Sequence, residues 1–380
     1  MLKKIYNLLF IISFMAIISV PVLFADRQDS GISAGENRTL ASRPSLIIGG
    51  KFNDNYTKEY ETWFMDHLGF RDKLINLNAK FQYYLFGNML SQSEYHIGRA
   101  GDINYATDSI MLDYSHLNLR SSGEVEKIGR SYQTVNDWLS GKGIQFYYVQ
   151  CWDKQTVYPE QFLKFVNQYG NISKTDQVIS YLRNSTTVNT ISLKEELIAS
   201  KNKHEVYSNW GDPTHWSERG AYTGYRYIMD KINQQNNNMY KVLDEDDYDI
   251  TVSDKGITLN GFIHKEDMLE SFVIKNPYAG KADKSPMGKY AEDARHSLWK
   301  NSKVKNDTKL LLMCDSYINS FIVEDIAESF SEVWLVWGDY TSELDEVIKL
   351  YEPDIVIYEC AERVDRSQAV VLFADKIKNN

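Results

Sequence analysis

The order of apolar and polar positions divides this chain into stretches of distinct period. Leu8 to Ala25 is apolar except for two serines and Pro21, and Lys3 and Lys4 stand just before it. A basic flank followed by an apolar run is an export signal. The run matches the roughly 20 residues needed to cross a bilayer. Positive flanks stay in the cytoplasm, which puts everything after Asp26 outside. Leu23 and Ala25 make a poor small-x-small cleavage site, so residues 1–25 read as an uncleaved anchor, with residues 8–25 in the membrane. A cleaved signal peptide, giving a secreted protein, is the competing reading.

Residues 26–50 are polar, with Gly, Ser and Pro, and read as a linker. From Tyr56 to Leu85 the residues Trp63, Phe64, Leu68, Phe70, Leu74, Leu77 and Phe81 recur at near-helical spacing, broken around Gly69. From Val125 the pattern becomes α/β. Val125, Ile128, Tyr132, Val135 and Leu139 mark one helix face, ended by Gly141 or Gly143. Ile144–Val149 and Val188–Leu193 read as strands. Glu218–Ile232 reads as a helix with Ser217 as its N-cap. Residues 240–300 carry short strands among Asp, Tyr, Lys and Gly, and read as an inserted β lobe. After it come a strand (Leu310–Met313), a helix (Tyr317–Phe330), a strand (Val333–Trp337), a helix (Ser342–Tyr351) and a strand (Ile355–Tyr358). That rhythm predicts a parallel sheet covered by helices. Residues 51–380 are therefore expected to hold one α/β catalytic domain.

Composition narrows the function. The chain has 380 residues, 25% of them charged, and a formal net charge of -10, which is globular and gives nucleic acid no basic surface to bind. Its three cysteines, Cys151, Cys314 and Cys360, form no CxxC pair, and its seven histidines form no HExxH. The sequence thus calls for no metal and no cofactor. Cys314 reads as a small buried hydrophobe rather than a reactive thiol.

The candidate chemistry lies in two separated motifs. Cys314-Asp315-Ser316 sits between a strand and a helix, where a serine is lifted above the sheet edge beside free helical N–H groups that favour developing negative charge. Asp212-Pro213-Thr214-His215-Trp216 leads into the helix capped by Ser217. An Asp three residues before a His can hold one ring nitrogen and leave the other free to take a serine proton. Each motif alone has an ordinary reading, an N-cap for one and a surface loop for the other. Together on an α/β frame they indicate a triad of Ser316, His215 and Asp212. Asp315 is a second possible carboxylate.

These motifs, with others, resemble a known family: the DHHW and alginate O-acetyltransferase AlgX/AlgJ group, whose catalytic domain is SGNH-hydrolase-like. The further matching pieces are Glu36-Asn37-Arg38 with Pro44, Asp66-His67-Leu68-Gly69-Phe70-Arg71-Asp72, Ile97-Gly98-Arg99, Lys154 with Tyr158-Pro159-Glu160, Gly220-Ala221, Pro353-Asp354 and Glu362-Arg363. The Asp/His motif precedes the serine, the circularly permuted order of that group. The resemblance implies Ser316 as nucleophile, His215 as general base and acid, and Asp212 as the orienting carboxylate. It implies acetyl transfer through an acyl-serine to a polysaccharide hydroxyl outside the membrane, with a membrane-bound O-acyltransferase as the donor partner. Lys154 and Arg363 match family positions and, with Trp216 as a sugar-stacking ring, are the candidate substrate contacts. The chain departs from the group in its D-x-x-H spacing, in Cys314 where glycine is usual, and in lacking a GxND block. Trp337-Gly338-Asp339 is its nearest substitute, and the Ser316 N–H is the one firm oxyanion donor. The same triad would serve a carbohydrate acetylesterase, and the missing GxND block would suit a non-catalytic polysaccharide-binding protein.

Overall fold

The computed structural model describes residues 2–26, 32–33, 38–86, 94–259 and 263–379. Glu36 and Asn37 of the family-like stretch, and part of the 26–50 linker, lie outside them. The chain forms two compact units, residues 1–92 with 258–264 and residues 93–257 with 265–380.

The first unit contains α1 (Leu2–Leu23), α2 (Tyr56–Asp66) and α3 (Arg71–Phe86). Lys3–Leu23 is long and apolar enough to cross a membrane, and none of it is buried. The expected helical stretch at 56–85 divides at Gly69 for a visible reason. The Gly69 N–H donates to the Pro21 carbonyl at 2.9 Å. A Cβ there would lie 2.5 Å from the Phe24 carbonyl oxygen, so only glycine fits so close an approach.

The second unit is built on a seven-stranded sheet. The elements that frame the sheet and the site are, in chain order, α4 (Ser122–Ser140), β1 (Gln145–Cys151), α5 (Lys174–Ser185), β2 (Asn189–Ser192), α6 (Glu218–Gln235), β3 (Tyr248–Asp254), β4 (Met268–Ile274), β5 (Gly280–Ala282), β6 (Ser297–Lys300), β7 (Lys309–Cys314), α7 (Ser316–Asn319), α8 (Val323–Ala327), β8 (Glu332–Trp337), α9 (Leu344–Tyr351), β9 (Ile355–Ala361) and α10 (Ser367–Lys378). The sheet order is β5-β6-β8-β7-β9-β1-β2. The five strands from β8 to β2 run parallel, and β6 and β5 close one edge antiparallel. Every residue of β9, and all of β7 after Lys309, is buried, as strands covered on both faces require.

Adjacent residues of β1 show which helices cover which face. Tyr148 packs its ring 4.8 Å from that of Tyr132 on α4. Tyr147, pointing the other way, reaches Gln235 on α6 through its hydroxyl at 3.0 Å. Helices α5 and α10 pack on α4, and α8 packs on α6.

Two sequence expectations change. The helix expected at Tyr317–Phe330 is two short helices separated by Ser320-Phe321-Ile322, where Ile322 (φ -125°, ψ 7°) leaves helical geometry. Of the lobe expected at 240–300, the antiparallel hairpin β3–β4 and a short antiparallel pair, Thr258–Leu259 with Ile263–His264, stand apart from the sheet. Residues 280–300 instead supply its two antiparallel edge strands, which short, broken apolar runs do not reveal.

Candidate active site

Ser316 follows the carboxyl end of β7, the central-sheet position at which open α/β sheets bind ligands. Asp315 fixes the turn. One carboxylate oxygen accepts the Tyr317 N–H at 3.0 Å and the other accepts the Ala361 N–H on β9 at 2.7 Å. The Asp315 N–H donates to Glu359 Oε2 at 2.9 Å. Both Asp315 oxygens are therefore committed to scaffolding, which removes it as the alternative triad carboxylate. Glu359 is fully buried, and burial together with the Asp315 carboxylate raises it well above the usual carboxylate range.

The His215 loop is held from the other side. Ser217 caps α6 by accepting the Gly220 N–H at 3.1 Å and donating to the Glu205 carbonyl at 2.6 Å. Trp216 is wedged beneath α6, where a Cβ on Gly224 would lie 2.6 Å from its ring.

These constraints bring the two motifs together. His215 Nε2 lies 2.7 Å from Ser316 Oγ, and His215 Nδ1 lies 2.7 Å from Asp212 Oδ2. The other Asp212 oxygen accepts the Thr214 N–H at 2.7 Å and also the Thr214 hydroxyl. Burial opposes ionisation of Asp212, but the hydrogen bonds from His215 and Thr214 outweigh it and hold the carboxyl at about 2. An ionised Asp212 fixes the proton on Nδ1, leaving Nε2 to accept the serine proton. Nucleophile, base and orienting group all stand within hydrogen-bond reach.

The His215 ring packs between aromatic groups, 5.4 Å from Tyr317 and 5.6 Å from Phe321. Phe321 also lines an open groove of about 940 Å³ beside the β3–β4 hairpin, with Phe272, Lys281, Trp299 and Asn319 among its walls. Ser316 itself is not among the groove's lining residues; Phe321 is what joins the two.

The other residues named from sequence fall into supporting places. Trp216 is 1% exposed and packs edge-on to Tyr317 at 5.0 Å, so it has no face for a sugar; an aromatic beside a candidate base is as easily core as platform. Lys154 is buried, paired with Asp102 at 2.6 Å and bonded to the Ile103 carbonyl at 2.8 Å. Burial lowers its ammonium below the usual lysine range. It braces the chain through these two contacts. Arg363 pairs with Asp153, and its guanidinium lies 5.2 Å from the Tyr317 ring centroid. The Tyr317 hydroxyl donates to the same Asp153 at 2.8 Å. Arg363 thus clamps the residue after Ser316 and is a positioning residue. In Trp337-Gly338-Asp339 the Gly338 N–H is committed to the Cys314 carbonyl at 2.9 Å, and the Asp339 carboxylate accepts from the Thr341 hydroxyl at 2.6 Å. Cys314 is fully buried, and burial raises its thiol far above the usual range. Asp153 and Glu359 were not singled out from sequence; for Asp153, the available signal was its place just past a predicted strand end.

Residues 113–265 match the family described as SGNH hydrolase-like domain, acetyltransferase AlgX. The chain resembles the AlgX acetyltransferases. Its fold is SGNH-hydrolase-like. Solved structures similar to it include Bacillus cereus PatB1 with a sulfonyl adduct (17% identity, 67% of this chain and 94% of that one, TM-score 0.49). They also include a DHHW family protein from Eubacterium siraeum (16%, 76% and 98%, TM-score 0.46) and the O-acetyltransferase domain of Pseudomonas putida AlgJ (15%, 75% and 100%, TM-score 0.45). No curated protein matches the chain. The AlgX-type match covers His215 and Asp212 and ends before Ser316.

Proposed function

We propose that this chain is a serine-dependent O-acetyltransferase that moves acetyl groups onto a polysaccharide hydroxyl outside the cell membrane. The observation that carries the proposal is the unbroken hydrogen-bond line from Asp212 through His215 to Ser316. In the first half-reaction Ser316 Oγ attacks the acetyl carbonyl carbon while its proton passes to His215 Nε2. The Ser316 N–H faces the developing oxyanion, and the donor's leaving group departs with the proton from His215. In the second half a sugar hydroxyl gives its proton to His215 and attacks the acyl carbon. The Ser316 oxygen leaves and takes the proton back. The proposed acetyl source is a membrane-bound O-acyltransferase, and α1 tethers the enzyme beside it.

The test is acetylation of an oligosaccharide from a chromogenic acetyl ester. The Ser316→Ala protein is expected to lose at least about 10³-fold in rate, in line with removal of a triad member. Unchanged transfer by that variant overturns the proposal. One observation favours a second reading, carbohydrate acetylesterase: the Asp212 side chain is half exposed, so water reaches the site. Ester hydrolysis that added sugar does not divert would select it.

A further inference from the structure

Helix α3 carries an apolar stripe that is exposed among the described residues. Leu74, Leu77, Phe81, Tyr84 and Leu85 recur every three or four residues, continuing from Phe70 just before the helix, and all six are between 44% and 70% exposed. At 100° per residue they cover about one third of the circumference. The helix buries only Ala79. Lys73 and Lys80, seven residues apart, border the stripe along one edge.

The position of the stripe indicates what covers it. The turn that starts α3 is fastened to the end of α1. Besides the Gly69 bond to Pro21, the Asp26 N–H donates to the His67 carbonyl at 2.8 Å, and the rings of Phe24 and Phe70 lie 5.3 Å apart. The first residue of the stripe therefore touches the last turn of a helix long enough to span a bilayer. The turn that starts α3 thus sits against the end of α1.

We infer that α3 lies in the outer leaflet interface of the membrane, its apolar stripe facing the acyl chains and its lysines reaching to the headgroups. A helix of 16 residues is about 24 Å long, and with Arg71, Asp72, Asn76, Asn78 and Gln82 among its residues it is too short and too polar to span, whereas the exposed stripe lets it lie flat. Half of the stripe is aromatic, the composition favoured at a membrane interface. A second copy of the chain is a poorer occupant, because the stripe runs for little more than two heptads where a coiled coil sustains about three or four. This placement rests on the reading of α1 as a membrane span. It would hold the start of the folded chain against the membrane rather than letting it hang from a free tether.

The experiment uses the full chain reconstituted in phosphatidylcholine–phosphatidylglycerol vesicles, with an environment-sensitive fluorophore on one introduced cysteine. The native cysteines are all buried, so the label goes to the new site. Leu77→Cys is expected to report a blue-shifted probe, quenched at least twofold by lipids with a nitroxide near the headgroup and little by aqueous iodide. Asn76→Cys, on the other face, is expected to give the reverse. Ile12→Cys, in α1, reports separately on the span through quenching by a nitroxide deep in the acyl chain. A Leu77 probe in water overturns the inference whatever Ile12 reports. A Leu77 probe shielded from both iodide and lipid nitroxide also overturns it, in favour of a protein partner. A Leu77 probe in lipid supports it, and an Ile12 probe in water counts only against the span.

Discussion

Asp212 uses its two oxygens for three hydrogen bonds, one to His215 and two to Thr214. That arrangement makes a prediction about kinetics. Asp212→Asn keeps the shape but can present an N–H to His215, stabilising the wrong tautomer. Its kcat should fall roughly 10²- to 10⁴-fold with KM nearly unchanged, measured with the chromogenic ester; a loss confined to KM would count against an orienting role. The carboxyl also has a stability signature. Its folded value of about 2 lies below the usual 3.8, so its contribution is present above pH 4 and is lost as pH falls toward 2. The three candidate triad residues were legible in the sequence because two of them share a loop and the third stands in a strand-to-helix turn, both local patterns. Asp153 and Glu359 were not, because their importance comes from residues 164 and 44 positions away along the chain, and no local period encodes such a contact. The same limit applies to Lys154 and Trp216: both are buried, and burial is decided by the fold rather than by a local motif.

At the scale of elements, the parallel strands and the long helices were readable from apolar runs and 3.6-residue periodicity. The break after Asn319 and the antiparallel edge strands were not, since each depends on a few residues whose alternatives differ by little. The β3–β4 hairpin gives a prediction of its own. Tyr248 at its base donates to the Asp325 carboxylate on α8. Burial pushes Asp325 up to about 6 from its usual 3.8. A carboxyl with a raised folded value favours the fold fully below about pH 4, and that advantage is lost as pH rises through 6. Above pH 6 the protein holds a buried charge there. Asp325→Asn keeps an acceptor for Tyr248 without the charge. Thermal unfolding from pH 4 to 8 should find wild type and variant level at pH 4, with the variant gaining on the order of 1 kcal/mol above pH 6. A variant less stable at pH 7 than at pH 4, relative to wild type, would show that the charge itself is needed to hold the hairpin.

For the whole molecule, the proposal joins two claims that one measurement can separate: an accessible nucleophile at Ser316 and a location outside the membrane. Ser316 is partly exposed, whereas its neighbours Asp315 and Tyr317 are buried, so a probe can reach the hydroxyl without opening the fold. On the proposed export reading, Lys3 and Lys4 at the start of α1 stay on the cytoplasmic side and Ser316 lies on the other. A membrane-impermeant fluorophosphonate added to intact spheroplasts of an expressing host should therefore label the wild-type chain. The Ser316→Ala chain should stay unlabelled, and lysis should not increase the wild-type signal. Labelling that appears only after lysis would place the serine in the cytoplasm and end the export reading while leaving the triad intact. Labelling of both chains would mean that another residue reacts and would remove the support for Ser316. Fractionation of the labelled band then decides the fate of α1. An intact helix carries the label into the membrane pellet and resists alkaline carbonate extraction, because burying about 20 apolar residues in lipid is far more favourable than any surface ion pairing. Cleavage after residue 25 would release a shorter band, whose retention or loss from the pellet would then depend on α3 alone.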